Sequence, residues 1–304
     1  MREHDSFGPA TMRRGRRKFD DDEPDFLKRG RLEPHLAEEP DLPETGDNWS
    51  TWDGALHGPT PRPDWVRTEH GAVDDELGML KTGKEADVHL LERAVPGTER
   101  RVLMAAKRYR TNEHKLFHRD AGYLEGRRVR RSREMRAMTG RTAFGRDLLA
   151  GQWAGAEFAA LATLWSDGVA VPYPVQCSGT EVLLEFVTDG AGSAASRLAQ
   201  LRPDPEPLGD LWHQLTDALL GLARRGWTHG DLSAFNVLVA QGRLVLIDLP
   251  QVVDVVGNPN GPEFLARDVR RIGDWFVAHS LSPEIGQPEQ LLAELRREVG
   301  ITGG

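Results

Sequence analysis

The sequence is nearly free of cysteine: Cys177 is the only one among its 304 residues. A single cysteine excludes an intrachain disulfide and a cysteine-cluster zinc site. Long apolar runs are also absent, since nowhere do about eighteen apolar residues follow one another, as a membrane-spanning helix would require. The first residues, MREHDSFGPATMRRGRRKF, lack the apolar segment of a secretory signal. We therefore expect a soluble, cytoplasmic protein with no membrane contact and no disulfide partner.

The excess of acidic over basic residues is modest. The formal net charge is −8, from 47 acidic and 39 basic residues. This balance argues against a general nucleic-acid binder. The hydrophobic share of 39% and the eight tryptophans allow a sizeable core, in one large domain or two smaller ones.

Two stretches are predicted to lack a fixed structure. Residues 1–64 alternate basic and acidic clusters (Arg13–Lys18 and Asp20–Asp25) and are rich in proline, so we predict a disordered N-terminal tail, with order beginning near Trp65. Residues 110–147 are strongly basic and are predicted to form a flexible insert. Its charge suits an acidic protein, RNA or phosphate, and composition does not choose among them.

The polar side chains that most suggest a site lie within residues 228–248. Two apolar runs, Val237–Ala240 and Leu244–Ile247, are predicted to form a hairpin around a Gln-Gly turn. Three oxygen donors flank this hairpin and would be brought together by it, as a magnesium–triphosphate site requires: Asp231, Asn236 and Asp248. The simpler alternative is a polar loop followed by an ordinary hairpin.

A small polar turn lies upstream, in front of a predicted strand, Asp87–Leu91. Within the turn, Gly83 permits a close backbone approach to phosphate, and Lys84, which follows Thr82-Gly83, adds positive charge. Taken alone, this turn is a weak signal because the full phosphate-loop pattern is missing. The preceding residues, Asp74–Leu80, are predicted to form a short helix.

One lysine and one glutamate occupy apolar faces of neighbouring elements. In the predicted strand at residues 101–109, the two-residue period places Lys107 on the face of Leu103 and Ala105. In the predicted helix Gly151–Ser166, Glu157 lies within an apolar stripe. A buried carboxylate needs a cation or must take up a proton, and Lys107 is the natural partner. The alternatives are a lysine at the sheet edge and a glutamate that reaches water.

Later segments are predicted to provide connection and scaffold. Residues 171–187 are predicted to form two strands, the second of which leads into the C-terminal half. Leu208–Arg225 has the pattern of an amphipathic helix that ends at a glycine. Two further helices are expected at Pro262–His279 and Pro288–Val299, without catalytic residues of their own.

Four sequence blocks, in order, resemble motifs of the RIO family of atypical serine/threonine protein kinases, and most closely its first, archetypal branch. They are TGKEADV (82–88), AAKRYR (105–110), HGDLSAFN (229–236) and LIDLPQVVD (246–254). The resemblance implies an α+β, two-lobed protein-kinase-like fold. Residues 65–187 would form an N-lobe with an antiparallel sheet, a helix and the basic insert, and residues 188–304 would form a mainly helical C-lobe.

The resemblance also implies roles for individual residues. Lys107 would hold the α- and β-phosphates of ATP and pair with Glu157, while Asp231 would be the catalytic aspartate. Asn236 and Asp248 would bind Mg²⁺, and Asp248 would also be a candidate phosphate acceptor during ATP hydrolysis.

The remaining nucleotide contacts are implied in the same way. Residues 82–84 (Thr82, Gly83 and Lys84) would replace the usual glycine-rich loop, and the backbone of Glu185 and Val187 would meet the adenine. Lys81 departs from the family pattern, which usually has serine there.

Three functional hypotheses follow. The first is a Mg-ATP-dependent serine/threonine kinase or ATPase acting on an unidentified protein substrate. The second is a small-molecule phosphotransferase resembling aminoglycoside and choline kinases, since these share the H-G-D-x-x-x-x-N pattern. The third is an ATP-driven switch on a ribosomal or other RNA-containing assembly, which the basic insert would contact.

Overall fold

The computed structural model describes residues 42–110, 143–250 and 252–301, with only the backbone described at 143–147. Residues 1–41 and 111–142 lie outside the described residues, and with them most of the predicted tail and basic insert. Within the described ranges, no helix is both long enough and apolar enough to cross a membrane.

A seven-stranded antiparallel sheet forms the first lobe, in the order β1-β3-β4-β5-β7-β6-β2. The strands are β1 (Asn48–Trp49), β2 (Leu56–His57), β3 (Val73–Thr82), β4 (Ala86–Ala94), β5 (Arg101–Tyr109), β6 (Pro174–Ser178) and β7 (Glu181–Glu185). Helix α1 (Ala143–Ser166) packs on one face of this sheet, where Phe158 meets Tyr109 and Val182. The other face buries Met104 and Leu183.

The second lobe is mainly helical and follows β7. It contains β8 (Ser196–Arg197), α2 (Pro205–Arg224), β9 (Trp227–Thr228), β10 (Val237–Ala240), β11 (Arg243–Leu246), β12 (Val253–Asp254), α3 (Gly261–Ala278) and α4 (Pro288–Glu298). The predicted hairpin is confirmed, because β10 pairs with β11 across the Gln-Gly turn. The α+β, two-lobed architecture is confirmed as well, whereas the lobe limits of 65–187 and 188–304 stay a prediction.

Helix α2 shows why the helical elements form where the sequence indicates. Its buried residues recur at three- and four-residue intervals, among them Leu208, Leu211, Leu215, Leu219 and Leu222. Prolines occupy its first turn, where a missing N–H costs nothing, and Gly226 follows its end with φ 72°. The predicted span, Leu208–Arg225, agrees with the observed Pro205–Arg224 within three residues at each end.

The predicted helix at Asp74–Leu80 is wrong, because these residues belong to strand β3. The strand pairs with β4 along its length, with register shifts between Glu76 and Gly78 and between Met79 and Lys81. Gly78, at φ 127°, adopts a backbone conformation that a helix does not contain. The two irregularities disrupt the two-residue alternation by which a strand is recognised in a sequence.

Order also begins earlier than the predicted position near Trp65, since the compact unit starts at Leu42. Strand β1 pairs with β3 at one outer edge of the sheet, and β2 pairs with β6 at the other. We call residues 48–59, which include both strands, the edge segment. Trp52 of this segment is 8% exposed and packs into the core beneath the sheet.

Candidate active site

A cavity of about 730 Å³ lies where the sheet meets the loops that follow β7, β9 and β11. Eight of the ten residues predicted from the sequence line it: Gly83, Lys84, Lys107, Glu157, Glu185, Val187, Asp231 and Asp248. Thr82 and Asn236 are absent from its lining. The fold thus brings most of the predicted site together from elements far apart in the chain.

Lys107 is the central cation of the site. It is 8% exposed, and its Nζ lies 2.7 Å from Glu157 Oε1 and 2.7 Å from Asp248 Oδ1. Burial alone would lower the pKa of Lys107, but the two carboxylates outweigh burial and raise it. The same contact explains Asp248: burial acts to raise its pKa, yet the charge and hydrogen bond of Lys107 hold it below the ordinary value. Both groups are therefore charged at neutral pH.

Glu157 is almost fully buried, at 1% exposure, and is supplied with several hydrogen-bond donors. Tyr109 Oη donates to its Oε2 at 2.5 Å, and the backbone N–H of Leu249 donates to its Oε1 at 3.2 Å. Burial and the neighbouring carboxylate both raise the pKa of Tyr109, so it remains a donor. These contacts compensate the loss of water around a buried carboxylate.

Asp248 lies directly after the second strand of the hairpin, in a left-handed backbone conformation with φ 67°. Aspartate tolerates this region better than most residues do. The preceding residue, Ile247, is held on both sides: its N–H donates to the carbonyl of Asn236 at 3.0 Å, and its carbonyl lies 3.0 Å from His229 Nε2. The buried histidine therefore links the polar loop to the residue before Asp248.

The polar loop after β9 presents Asp231 at the cavity. The Asp231 side chain is 42% exposed, and its Oδ1 accepts a hydrogen bond from Arg271 Nη1 at 2.9 Å. Asn236 is 7% exposed, and its side-chain nitrogen donates to the backbone carbonyl of Asp231 at 3.0 Å. That bond ties the Asn236 amide to the backbone of the polar loop.

Asp268 on α3 is a positioning residue to which sequence reasoning assigned no role. It is 1% exposed and accepts hydrogen bonds from the N–H groups of Gly230 at 2.6 Å and Leu232 at 3.1 Å, and from Thr228 Oγ1 at 2.8 Å. Three donors on one carboxylate fix the backbone on both sides of Asp231. Asp268 ends the stretch EFLARD (263–268), whose likeness to the RIO family is weaker than that of the four blocks above.

The glycine turn between β3 and β4 is tight. Gly83 N–H donates to the carbonyl of Ala86 at 2.9 Å, and a Cβ on Gly83 would lie 2.8 Å from that oxygen, so a larger residue would force the turn to shift. The Thr82 hydroxyl is engaged away from the cavity, because it donates to Asp87 and accepts from Arg110. Hydrogen bonds from Arg110 and Thr82 lower the pKa of Asp87 to about 2.

The connection between the lobes begins at Glu185, the last residue of β7. Its N–H donates to the Tyr173 carbonyl at 2.9 Å, and its carboxylate accepts from the Tyr173 N–H at 3.0 Å. Beyond it, the Val187 carbonyl accepts from Ala195 N–H at 3.0 Å. The bonds to Tyr173 and to Ala195 hold the connecting backbone at the rim of the cavity.

The donor set fits a magnesium ion that arrives with a nucleotide. Among residues 42–110, 143–250 and 252–301, no group of three or more His, Cys, Asp and Glu side chains could hold a metal by itself. Magnesium prefers oxygen and is commonly held by one or two protein carboxylates together with phosphate oxygens and water. Asp248, which lines the cavity, is an oxygen donor of that kind, and the amide oxygen of Asn236 would be a second.

Comparison with known proteins identifies the family. A model of the RIO domain matches residues 97–287, which include every predicted site residue except those of the glycine turn. The RIO-type serine/threonine-protein kinase Rio1 of Haloferax volcanii is 33% identical over 210 residues, covering 68% of this chain and 65% of that protein. The serine/threonine-protein kinase RIO1 of Chaetomium thermophilum is 28% identical over 214 residues, covering 67% of this chain and 40% of the relative.

A solved structure shares the fold. The crystal structure of the Rio2 kinase-ADP/Mg²⁺-phosphoaspartate complex from Chaetomium thermophilum has a TM-score of 0.51 and 23% identity, covering 75% of this chain and 63% of that chain. The chain thus spans less than two thirds of the length of these relatives. Since the family model matches well over half of the sequence, the chain belongs to the RIO domain family.

Proposed function

We propose that this chain is an ATP-dependent phosphotransferase, a RIO-type serine/threonine kinase or ATPase. The observation that carries the proposal is the double contact of Lys107 with Glu157 and Asp248, inside a cavity that Asp231 also lines. A lysine held between two carboxylates can donate to phosphate oxygens when a phosphate takes the place of one carboxylate. The 33% identity with a Rio1 kinase supports the assignment to the first branch.

Each part of ATP has a place in this proposal. Adenine would meet the backbone of Glu185 and Val187, which bonds to Tyr173 and Ala195 hold in place. Lys107 would hold the α- and β-phosphates, near the backbone of the glycine turn. Mg²⁺, held by Asn236 and Asp248, would neutralise charge on the phosphate oxygens.

Asp231 would orient the attacking hydroxyl and accept its proton while the terminal phosphoryl group moves to that oxygen and ADP leaves. Asp268 would keep the backbone on each side of Asp231 in place. Asp248 is a second candidate acceptor, whose carboxylate oxygen would attack the γ-phosphorus and form an acyl phosphate as ADP departs. The phosphoaspartate named for the related Rio2 complex supports this second route.

Incubating the wild type, Asp231→Ala and Asp248→Asn with labelled ATP tests the proposal. We expect label on the wild type or on a generic protein acceptor, and a loss of transfer to hydroxyl groups by orders of magnitude in Asp231→Ala. Acid-stable label indicates phosphoserine or phosphothreonine, whereas label released by hydroxylamine and absent from Asp248→Asn indicates the acyl phosphate. Equal labelling of all three proteins would contradict both routes.

The other hypotheses stay predictions. A basic insert that contacts a ribosomal or RNA-containing assembly falls largely on residues 111–142, outside the described residues. Pull-down with and without ATP would test such an ATP-driven switch. A screen that found efficient phosphorylation of an amino sugar or an alcohol would favour the small-molecule alternative. The protein substrate and the cytoplasmic location remain expectations from the sequence.

A further inference from the structure

Two cations that have no part in the proposed reaction line the same cavity. Lys81 is the next-to-last residue of β3, just before the glycine turn, and Arg197 lies on β8 of the other lobe. Lys81 is the residue that replaces the usual serine of the resembled family. The cavity therefore receives one additional positive charge from each lobe.

Among the described residues, Lys81 has no carboxylate bonded to it. The part of the chain that the structure describes shows neither a hydrogen bond nor a salt bridge to its ammonium group. Partial burial and then the positive charge of Arg197 lower the pKa of Lys81, as does the charge of Lys107, while Asp248 acts in the opposite direction. Lys81 lines the same cavity as Arg197, Lys107 and Asp248, and an anion placed among these groups would relieve the repulsion between the cations.

Arg197 is held in position. Its Nη1 donates to the backbone carbonyl of Phe235, which lies between Asp231 and Asn236 in the polar loop. Its own N–H donates to the side chain of Gln200 at 2.9 Å, and β8 pairs with β10 through Leu238, another residue that lines the cavity. A guanidinium group has five N–H donors, so the bond to Phe235 leaves most of them for a ligand.

We propose that Lys81 and Arg197 form a clamp for the terminal phosphate of ATP, with one arm from each lobe. The proposal rests on the proposed function and adds two contacts to it. Arginine presents a planar fork and lysine a compact charge, and both groups suit phosphate oxygens. Their neighbours are Asp248 and the Asp231 loop, where transfer would occur, whereas adenine would lie at Glu185 and Val187.

The clamp has a specific consequence. ADP lacks the phosphate that both arms would share, so it would leave Lys81 and Arg197 without a common ligand. ATP would bring the two arms, and with them the two lobes, onto one group. Discrimination between ATP and ADP is therefore the property that Lys81 and Arg197 should control.

Calorimetric titration with Mg-ADP and with a non-hydrolysable Mg-ATP analogue tests the clamp. We expect Lys81→Ser to bind the analogue about tenfold more weakly than the wild type while its affinity for ADP changes less than about twofold. Lys81→Arg, which keeps the charge, should retain most of the affinity for the analogue. Arg197→Gln should reproduce the selective loss. Arg243→Ser, which removes an exposed cation outside the cavity lining, is the matched control and should change neither affinity.

The outcomes separate the clamp from the function on which it rests. A wild type that binds neither nucleotide contradicts the proposed function. A wild type that binds both, with Lys81→Ser losing nothing or losing equally for ADP and the analogue, contradicts the clamp alone. Thermal unfolding of Lys81→Ser should match that of the wild type, because Lys81 is exposed and has no bonded partner within the described residues.

Discussion

The ammonium of Lys107 and the carboxylate of Asp248 lie 2.7 Å apart, and this contact joins strand β5 of the sheet to the segment after β11. Lys107 is also bound to Glu157. Since Asp248 is a proposed Mg²⁺ ligand and Lys107 a proposed phosphate ligand, nucleotide binding would place Mg²⁺ and phosphate between two groups that now contact each other directly. This contact between the lobes therefore involves the same atoms that would bind Mg-ATP.

Lys107→Met should lower both activity and stability. Removing the cation leaves Glu157 buried with its charge uncompensated, which costs on the order of 3 kcal/mol. Urea unfolding should show this loss, and phosphate transfer should fall below detection. Arg101→Met is the matched control on the same strand. It breaks an exposed pair with Glu92 at 3.3 Å, so its stability should change by less than about 1 kcal/mol. Equal losses in the two variants would contradict this account.

The Lys107–Glu157 pair was predictable because each residue interrupts a regular apolar pattern. The two-residue period of a strand predicted that Lys107 lies on the apolar face of β5. The helical period predicted that Glu157 lies on the apolar face of α1. Burial then requires that the two charges meet. The third partner, Asp248, was predicted as a metal ligand only, because the contact with Lys107 depends on how closely the two lobes approach.

Asp268→Asn should slow phosphate transfer while leaving the nucleotide-binding residues unchanged. The two carboxylate oxygens accept hydrogen bonds from Gly230, Leu232 and Thr228. An amide has only one accepting oxygen, so it can keep only some of these bonds. We expect a loss of about 2 kcal/mol in the free energy of unfolding, and a fall in kcat that exceeds any change in the KM for ATP. Asp274→Asn, at an exposed position of the same helix, should change neither. A variant with full kcat would show that Asp268 only stabilises the fold.

Gly58→Ala should detach the edge segment from β6. A Cβ at Gly58 would overlap the carbonyl oxygen of Pro174 and approach Tyr173 Oη, which itself donates to the Pro59 carbonyl. We expect a lower Tm and faster proteolysis of the segment. Gly54→Ala is the control, because nothing lies within 4 Å of a Cβ there. If the two variants melt at the same temperature, the close approach at Gly58 does not contribute to stability.

The alkylation rate of the Cys177 thiol should depend on pH in a way that reflects its burial on β6, beside the edge segment. Burial raises the pKa of Cys177 to about 11, so the reactive thiolate is scarce in the folded protein at neutral pH. The alkylation rate of the native chain should keep rising with pH above about 9. The rate for the chain unfolded in urea should level off just above the ordinary thiol pKa of about 8.5. Because the unfolded thiol ionises first, this group lowers folding stability as pH rises past that value. A native rate that levels off near pH 9 would contradict the shift.

The reactivity of Cys177 also gives Gly58→Ala a second readout. Cys177 pairs with Leu56 of the edge segment, so opening of that segment should expose the thiol. We expect Gly58→Ala to be alkylated faster than Gly54→Ala at the same pH.

Several features could not be read from the sequence, for identifiable physical reasons. Strands β1 and β2 have two residues each, too few for any alternation to show. In β3, apolar residues are exposed and the register is interrupted twice, so the sequence lacks the alternation of apolar and polar residues that marks a strand. Asp268 lies 38 residues after Gly230, and only folding brings the two together. Arg197 likewise has no local pattern that indicates its contact with Phe235.

The edge segment has a consequence for solubility. Its two strands take the outermost positions at opposite edges of one sheet, so a single short stretch of chain covers part of both. An uncovered edge presents free N–H and C=O groups to which another molecule can add a strand. If the segment were removed, each molecule would offer two such surfaces, enough for end-to-end growth into long aggregates. As outermost strands of only two residues each, β1 and β2 are therefore expected to limit strand addition at both edges of the sheet.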